Sequence, residues 1–166
     1  MSDPAKTSID PFRYMVQRFI EMESPNLIQN SSPEHARILL EEMFLHAKTS
    51  AYVYCGCISD KVWGGEDLAT AVRTAIERGV KVRFIVQHPE KIPAGSAVAA
   101  VLRQHGEDMI HSSTLFATWD SHFAVFDEKM FRFEKRDDDK TAIACVNGPD
   151  TARKLRDLAL SMLDVA

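Results

Sequence analysis

Apolar residues recur at helical spacing along five stretches of the chain. Phe12, Val16, Phe19 and Ile20 follow Asp10-Pro11, an N-cap with proline at the first helical position, and Ser24-Pro25-Asn26 stops that helix. A second start signal, Ser32-Pro33-Glu34, leads into the stripe Ala36, Leu39, Leu40, Met43, Phe44 and Ala47. Leu68, Val72, Ala75 and Ile76 make a third helix over Glu66–Arg78, with Gly79 placed for a left-handed cap. Ser96–Gln104 is a short helix ended by Gly106, and Ala152, Leu155, Leu158, Ala159 and Met162 form the buried face of a closing helix. Between them lie short β-branched and aromatic runs, Tyr52–Ile58 and Val80–Val86. Beyond Gly106 the period shortens, and Met109-Ile110, Leu115–Trp119, Phe123–Phe126, Met130–Phe133 and Ala142–Val146 read as strands. Glu128-Lys129 and Asp137–Lys140 read as turns.

Helices alternating with strands in the first half predict a parallel core, and the strand-rich second half adds hairpins. The expected fold is α/β: a mixed, mainly parallel sheet with antiparallel hairpins and helices on both faces. The expected division is a tail and amphipathic helix over 1–31 and a folded domain over 32–166.

Composition narrows the class. The chain has 166 residues, 45% hydrophobic and 27% charged, which suits one globular domain and excludes a disordered or fibrous chain. The longest uninterrupted apolar run, Ala97–Leu102, is six residues, against the ~18 that a membrane span requires. Three cysteines in no framework spacing point to a reducing cytoplasm. The charge is 20 minus 24, or −4, so any site for a polyanion must be local. Cys55-Gly56-Cys57 with scattered His46, His88, His105 and His111 lacks zinc-ligand spacing, and buried thiols are the expectation. Phosphate-loop and dinucleotide glycine patterns are absent, as is a serine elbow, so neither metal nor cofactor is expected.

The densest polar group is Asp120-Ser121-His122-Phe123-Ala124-Val125-Phe126-Asp127. Alternation puts Asp120, His122, Ala124 and Phe126 on one strand face. A carboxylate beside an imidazole raises its imidazolium fraction, which suits gripping phosphate or donating a proton. A solvated strand end with an Asp–His hydrogen bond has the same residues. The neighbouring run Phe131-Arg132-Phe133-Glu134 puts an Arg and a Glu on one face of a hairpin strand.

A helix ending in Ala47-Lys48, a strand, the Leu68-Ala69-Thr70-Ala71 helix and the strand Arg78-Gly79-Val80-Lys81-Val82-Arg83 together resemble a lobe of the phospholipase D-like family. The resemblance spans roughly Ser32 to Met162. It puts Asp120–Asp127 where that family keeps His-x-Lys-x4-Asp, with Asp120 at the nucleophilic histidine, His122 at the phosphate-holding lysine and Asp127 matching. The family's Gly-Ser step falls at Glu134-Lys135, which does not match. The resemblance therefore implies a degenerate site: Asp120, His122 and Asp127 at the catalytic positions, with His122, Arg132, Lys135 and Arg136 supplying positive charge for a phosphate.

Active members need two motifs, so a single lobe implies a homodimer with these strands near the two-fold axis. Three functions follow from the resemblance. The leading one is a cytoplasmic binding or regulatory module for a phosphodiester, nucleic acid before lipid, or for a partner protein. The second is a metal-independent phosphodiesterase or nuclease acting through paired His122. The third, which rests on the helix outside the resemblance, is an assembly subunit docking through Phe12, Val16, Phe19 and Ile20; core packing is the default reading of that face, with an oligomer or partner contact beside it. Stand-alone lobes of this kind occur among bacterial nucleases and defence proteins.

Overall fold

The computed structural model describes residues 10–113, 121–135 and 142–165. The chain opens with α1 (Pro11–Glu21), β1 (Ile28–Asn30), α2 (Pro33–His46), β2 (Ser50–Cys55), a single turn α3 (Asp60–Trp63), α4 (Glu66–Glu77) and β3 (Lys81–Val86). It continues with α5 (Ala97–His105), β4 (Ile110–Ser112), β5 (Ser121–Phe126), β6 (Met130–Lys135), β7 (Ala142–Cys145) and α6 (Pro149–Val165). Among the described residues the strands form one seven-stranded sheet in the order β1-β7-β6-β5-β2-β3-β4. The expected Leu115–Trp119 strand and Asp137–Lys140 turn fall outside the described residues.

The mixed α/β architecture matches the sequence reading, but the balance of pairings differs. Only β2–β3 and β3–β4 are parallel, while β2–β5, β5–β6, β6–β7 and β1–β7 are antiparallel. The helical crossovers supply two parallel steps, and the second half then turns back by hairpin instead of crossing over.

Local signals explain the helices. Asp10 accepts from the N–H groups of Phe12 and Arg13 at 2.9 and 3.1 Å, and Ser32 accepts from His35 at 3.0 Å. Gly79 takes φ +94°, the left-handed turn that a glycine adopts without strain. Arg78 closes α2 from outside, donating to the carbonyls of Phe44 and Ala47 at 3.0 and 2.7 Å.

The main core lies between the sheet and α2, α4 and α5. Phe44, Phe84 and Phe126 are fully buried, and Phe44 meets Phe126 edge-on at 4.9 Å. Trp63 packs edge-on against Phe84 at 5.0 Å, which pins the short α3 to this core. On the other face α6 covers Tyr52, Tyr54, Ile85, Phe123, Val125 and Phe131.

Residues 10–31 pack onto the sheet and α2. Strand β1 pairs with β7, and α1 lies on α2 with Val16 fully buried. Phe12, Phe19 and Ile20 pack against the main core, and the Phe12 ring stacks on His35 at 3.9 Å. Arg13 forms ion pairs with Glu41 and Glu42, both buried carboxylates of α2. Burial pulls the Arg13 pKa down, but the two carboxylates outweigh it and hold the pKa above its ordinary value. The apolar face of α1 lies on α2 and the main core, because α2 offers it both an apolar stripe and a pair of acids.

Candidate functional site at the strand ends

Parallel β2 and β3 both stop at the same edge, at Cys55 and Val86, and antiparallel β5 begins there. Open α/β sheets bind ligands at the carboxyl ends of their parallel strands. A cavity of about 550 Å³ lies there. Its walls come from the start of α2 (Ser31, Ser32, Pro33), from α3 (Lys61, Val62, Trp63), and from the hairpin β5–β6 (His122, Ala124, Arg132, Glu134). His88 and Lys91 after β3 complete the rim. Among the described residues five of its charged or imidazole groups are basic, Lys61, His88, Lys91, His122 and Arg132, against the single carboxylate of Glu134.

Strand register builds the hairpin wall. His122 faces Glu134 and Ala124 faces Arg132, so alternation turns all four to one side. Ala124 is small, which leaves room above it for the guanidinium opposite. Gly56 lies beside both His122 and Gln87: a Cβ there would sit at ordinary contact distance, 3.5 Å from His122 Nε2 and 3.6 Å from Gln87 Oε1. Gln87 in turn donates to the Tyr54 hydroxyl at 2.6 Å, and Tyr54 meets the imidazole edge-on at 6.5 Å. Burial raises the Tyr54 pKa, which keeps its hydroxyl protonated.

Arg132 is 8% exposed. Burial lowers its pKa, and the nearby Glu134 carboxylate offsets part of that effect. Asn30 Oδ1 accepts from Arg132 Nε and Nη2 at 3.4 and 3.3 Å. Asn30 itself is fixed by donating to the Ala142 carbonyl at 3.3 Å. Glu134 lies 3.7 Å from Nη1, beyond a full hydrogen bond. Desolvating a guanidinium costs several kcal/mol, so a buried arginine with long contacts on a cavity wall marks a place where an anion would be welcome.

The other expected residues are dispersed. Asp127 ends β5 at the opposite edge of the sheet, roughly 17 Å along the strand from His122 at ~3.3 Å per residue. Its carboxylate accepts from the N–H groups of Lys48, Thr49 and Ser50 at 2.7, 2.7 and 3.1 Å, and from the Thr49 hydroxyl at 2.9 Å. That is a brace between the β5–β6 turn and the start of β2. Lys135 is exposed, and alternation sends it to the face opposite Arg132 and Glu134, away from the cavity. Asp120 and Arg136 fall outside the described residues. Cys55 is buried, and burial pushes its thiol pKa up, so it stays protonated; half-buried Cys57 reaches the cavity wall. Among the described residues no group of three His, Cys, Asp or Glu could hold a metal ion, and no helix is long and apolar enough to cross a membrane.

Sequence reasoning missed Asn30, Gln87, Tyr54, Lys61 and Lys91. Asn30 belongs to a strand of three residues with no alternation to read, and the two lysines sit on a single turn and a loop.

No protein-family model matches the chain, and no curated protein matches it. Solved structures do. Nuc from Salmonella typhimurium, a phospholipase D family member, superposes with a TM-score of 0.60 over 85% of this chain and 95% of its own, at 19% identity. The chain has the phospholipase D-like fold. NucT from Helicobacter pylori superposes with a TM-score of 0.59 over 84% of this chain and 97% of its own, at 14% identity. TrmBL2, an archaeal chromatin protein described as showing a novel mode of DNA binding, reaches 0.63 over 92% of this chain and 58% of its own, at 14% identity.

Proposed function

We propose that the chain binds a phosphodiester of a nucleic-acid strand in the strand-end cavity, gripping the phosphate without cutting it. The observation that carries this is Arg132: a guanidinium kept buried beside His122, in a cavity whose described lining sets five basic groups against the carboxylate of Glu134, within a chain of net charge −4. Arg132 supplies planar paired donors for phosphate oxygens, and His122 adds an imidazole on the same hairpin face. Holding is favoured over cutting because His122 stands at the phosphate-holding position of the motif the sequence resembles. The position of that motif's nucleophile is taken by Asp120. DNA binding by TrmBL2, which shares the fold, favours nucleic acid over lipid as the source of the phosphate.

Fluorescence anisotropy of a labelled single-stranded oligonucleotide tests this. Retention should weaken with added salt, with a slope of about −1 to −2 for two phosphate contacts at ~0.7 each. It should fall about tenfold or more in Arg132→Gln. No binding at low salt would refute the proposal. Metal-independent hydrolysis of bis(p-nitrophenyl) phosphate in EDTA, lost in His122→Ala, would replace it with an enzyme working through paired imidazoles.

A further inference from the structure

Among the described residues Glu134 is the one carboxylate in an otherwise basic cavity wall, and an anion pocket has no use for it unless the ligand also brings donors. Arg132 holds it only in a long ion pair. The guanidinium is tied from the other side by Asn30 at 3.3 and 3.4 Å, and Glu134 stays 3.7 Å from Nη1. Its side chain is 24% exposed, so it keeps contact with the cavity and with solvent. Register sets it directly across from His122, with Cβ atoms ~5 Å apart, and two residues along β6 from Arg132. A phosphate held by His122 and Arg132 therefore has a carboxylate beside it. A carboxylate accepts only, so the ligand group next to the phosphate must donate.

Resting on the reading that this cavity takes a phosphodiester, we infer that its ligand bears a hydroxyl beside the phosphate and that Glu134 is the residue that selects it. A deoxyribose phosphodiester offers Glu134 nothing and meets it as a like charge. A ribose 2′-hydroxyl, or a free hydroxyl of a glycerol phosphodiester, donates to it and turns the repulsion into a hydrogen bond. Sites built to bond a hydroxyl discriminate against the analogue that lacks it, because the carboxylate is then left facing the phosphate with no donor between them. Ser31 and Ser32 on the facing wall supply further hydroxyl partners for a sugar.

The test compares labelled oligoribonucleotide and oligodeoxyribonucleotide of one sequence, with glycerophosphoglycerol as competitor, on the native chain and on Glu134→Ala. The native chain should bind the ribose form about tenfold more tightly. In Glu134→Ala the ribose form should weaken while the deoxyribose form tightens, since the repelling charge is gone; general damage would weaken both. Glycerophosphoglycerol displacing the ribose form at low concentration, with the same Glu134 dependence, would support the selection and assign a glycerol source. Equal native affinity for the two sugars, or a preference unchanged in Glu134→Ala, would overturn the inference while leaving phosphodiester binding intact. Binding of neither oligomer at low salt would overturn both readings together.

Discussion

Asp127→Ala removes a carboxylate that the motif resemblance places among catalytic residues and the structure places in a structural brace. Three backbone N–H groups and one hydroxyl lose their acceptor. The donors of Lys48 and Thr49 are exposed and can return to water, which limits each loss to ~0.5 kcal/mol, while the part-buried Ser50 N–H loses nearer ~1 kcal/mol. Asp127 also sits at φ +58°, a conformation that costs alanine ~1 kcal/mol more than it costs Asp or Asn. Together these give about 3–3.5 kcal/mol, or a fall in Tm of roughly 6–14 °C for a chain of this size. Asp127→Asn keeps one acceptor oxygen and the turn preference, so about 1 kcal/mol is expected from it. The assay is thermal unfolding followed by circular dichroism, paired with oligonucleotide anisotropy on the folded variants. Both variants should bind as the native chain does. An unchanged Tm with lost binding would refute the reasoning, because it would mean that Asp127 acts on the ligand from a distance the fold does not explain.

Other substitutions probe the remaining links. Asn30→Asp would clamp Arg132 in an ion pair, so oligonucleotide affinity should drop about tenfold without a fall in Tm, checked by anisotropy and calorimetry. A Cβ at Gly64 would lie 2.3 Å from the Asp60 carbonyl, so Gly64→Ala should displace α3, weaken ligand binding and cost ~1–3 kcal/mol in urea unfolding. Arg13→Ala strands two buried carboxylates and should lower stability by about 2–3 kcal/mol, which would show that α1 is held within the chain. Glu23, whose pKa is held down by its hydrogen bond and ion pair with Lys129, stabilises the fold above about pH 4.5. That contribution is lost as pH falls through the depressed folded value, so the stability gap to Glu23→Gln should close in acid.

The parts of the fold carried by periodicity were legible from residues alone. The stripes of α2 and α4, their caps, the glycine at position 79 and the Val-rich β3 all stand where the pattern puts them. So does the hairpin face shared by Arg132 and Glu134, since alternation needs no tertiary information. The same alternation rule already separates Lys135 from Glu134, a signal present in the sequence and not applied to it. Strand β1 could not be read, because three residues owe their strand conformation to pairing with β7 and not to any propensity of their own. The surface that receives α1 was hidden for a related reason. An amphipathic helix announces that it has an apolar face, while its partner is decided by Glu41 and Glu42, far along the chain. The cavity rim at Lys61, His88 and Lys91 comes from turns and loops, where side-chain direction follows from packing.

The most direct measurement is two-dimensional NMR of backbone and arginine side-chain N–H groups during titration with a short oligoribonucleotide at low salt. Saturable shifts should appear at the Gly56 amide, the His122 imidazole and Arg132 Nε–H, and the Asp127 turn should stay still. Shifts confined to other surfaces, or none at the hairpin wall when the oligomer is in large excess, would contradict the assignment of the strand-end cavity as the binding site.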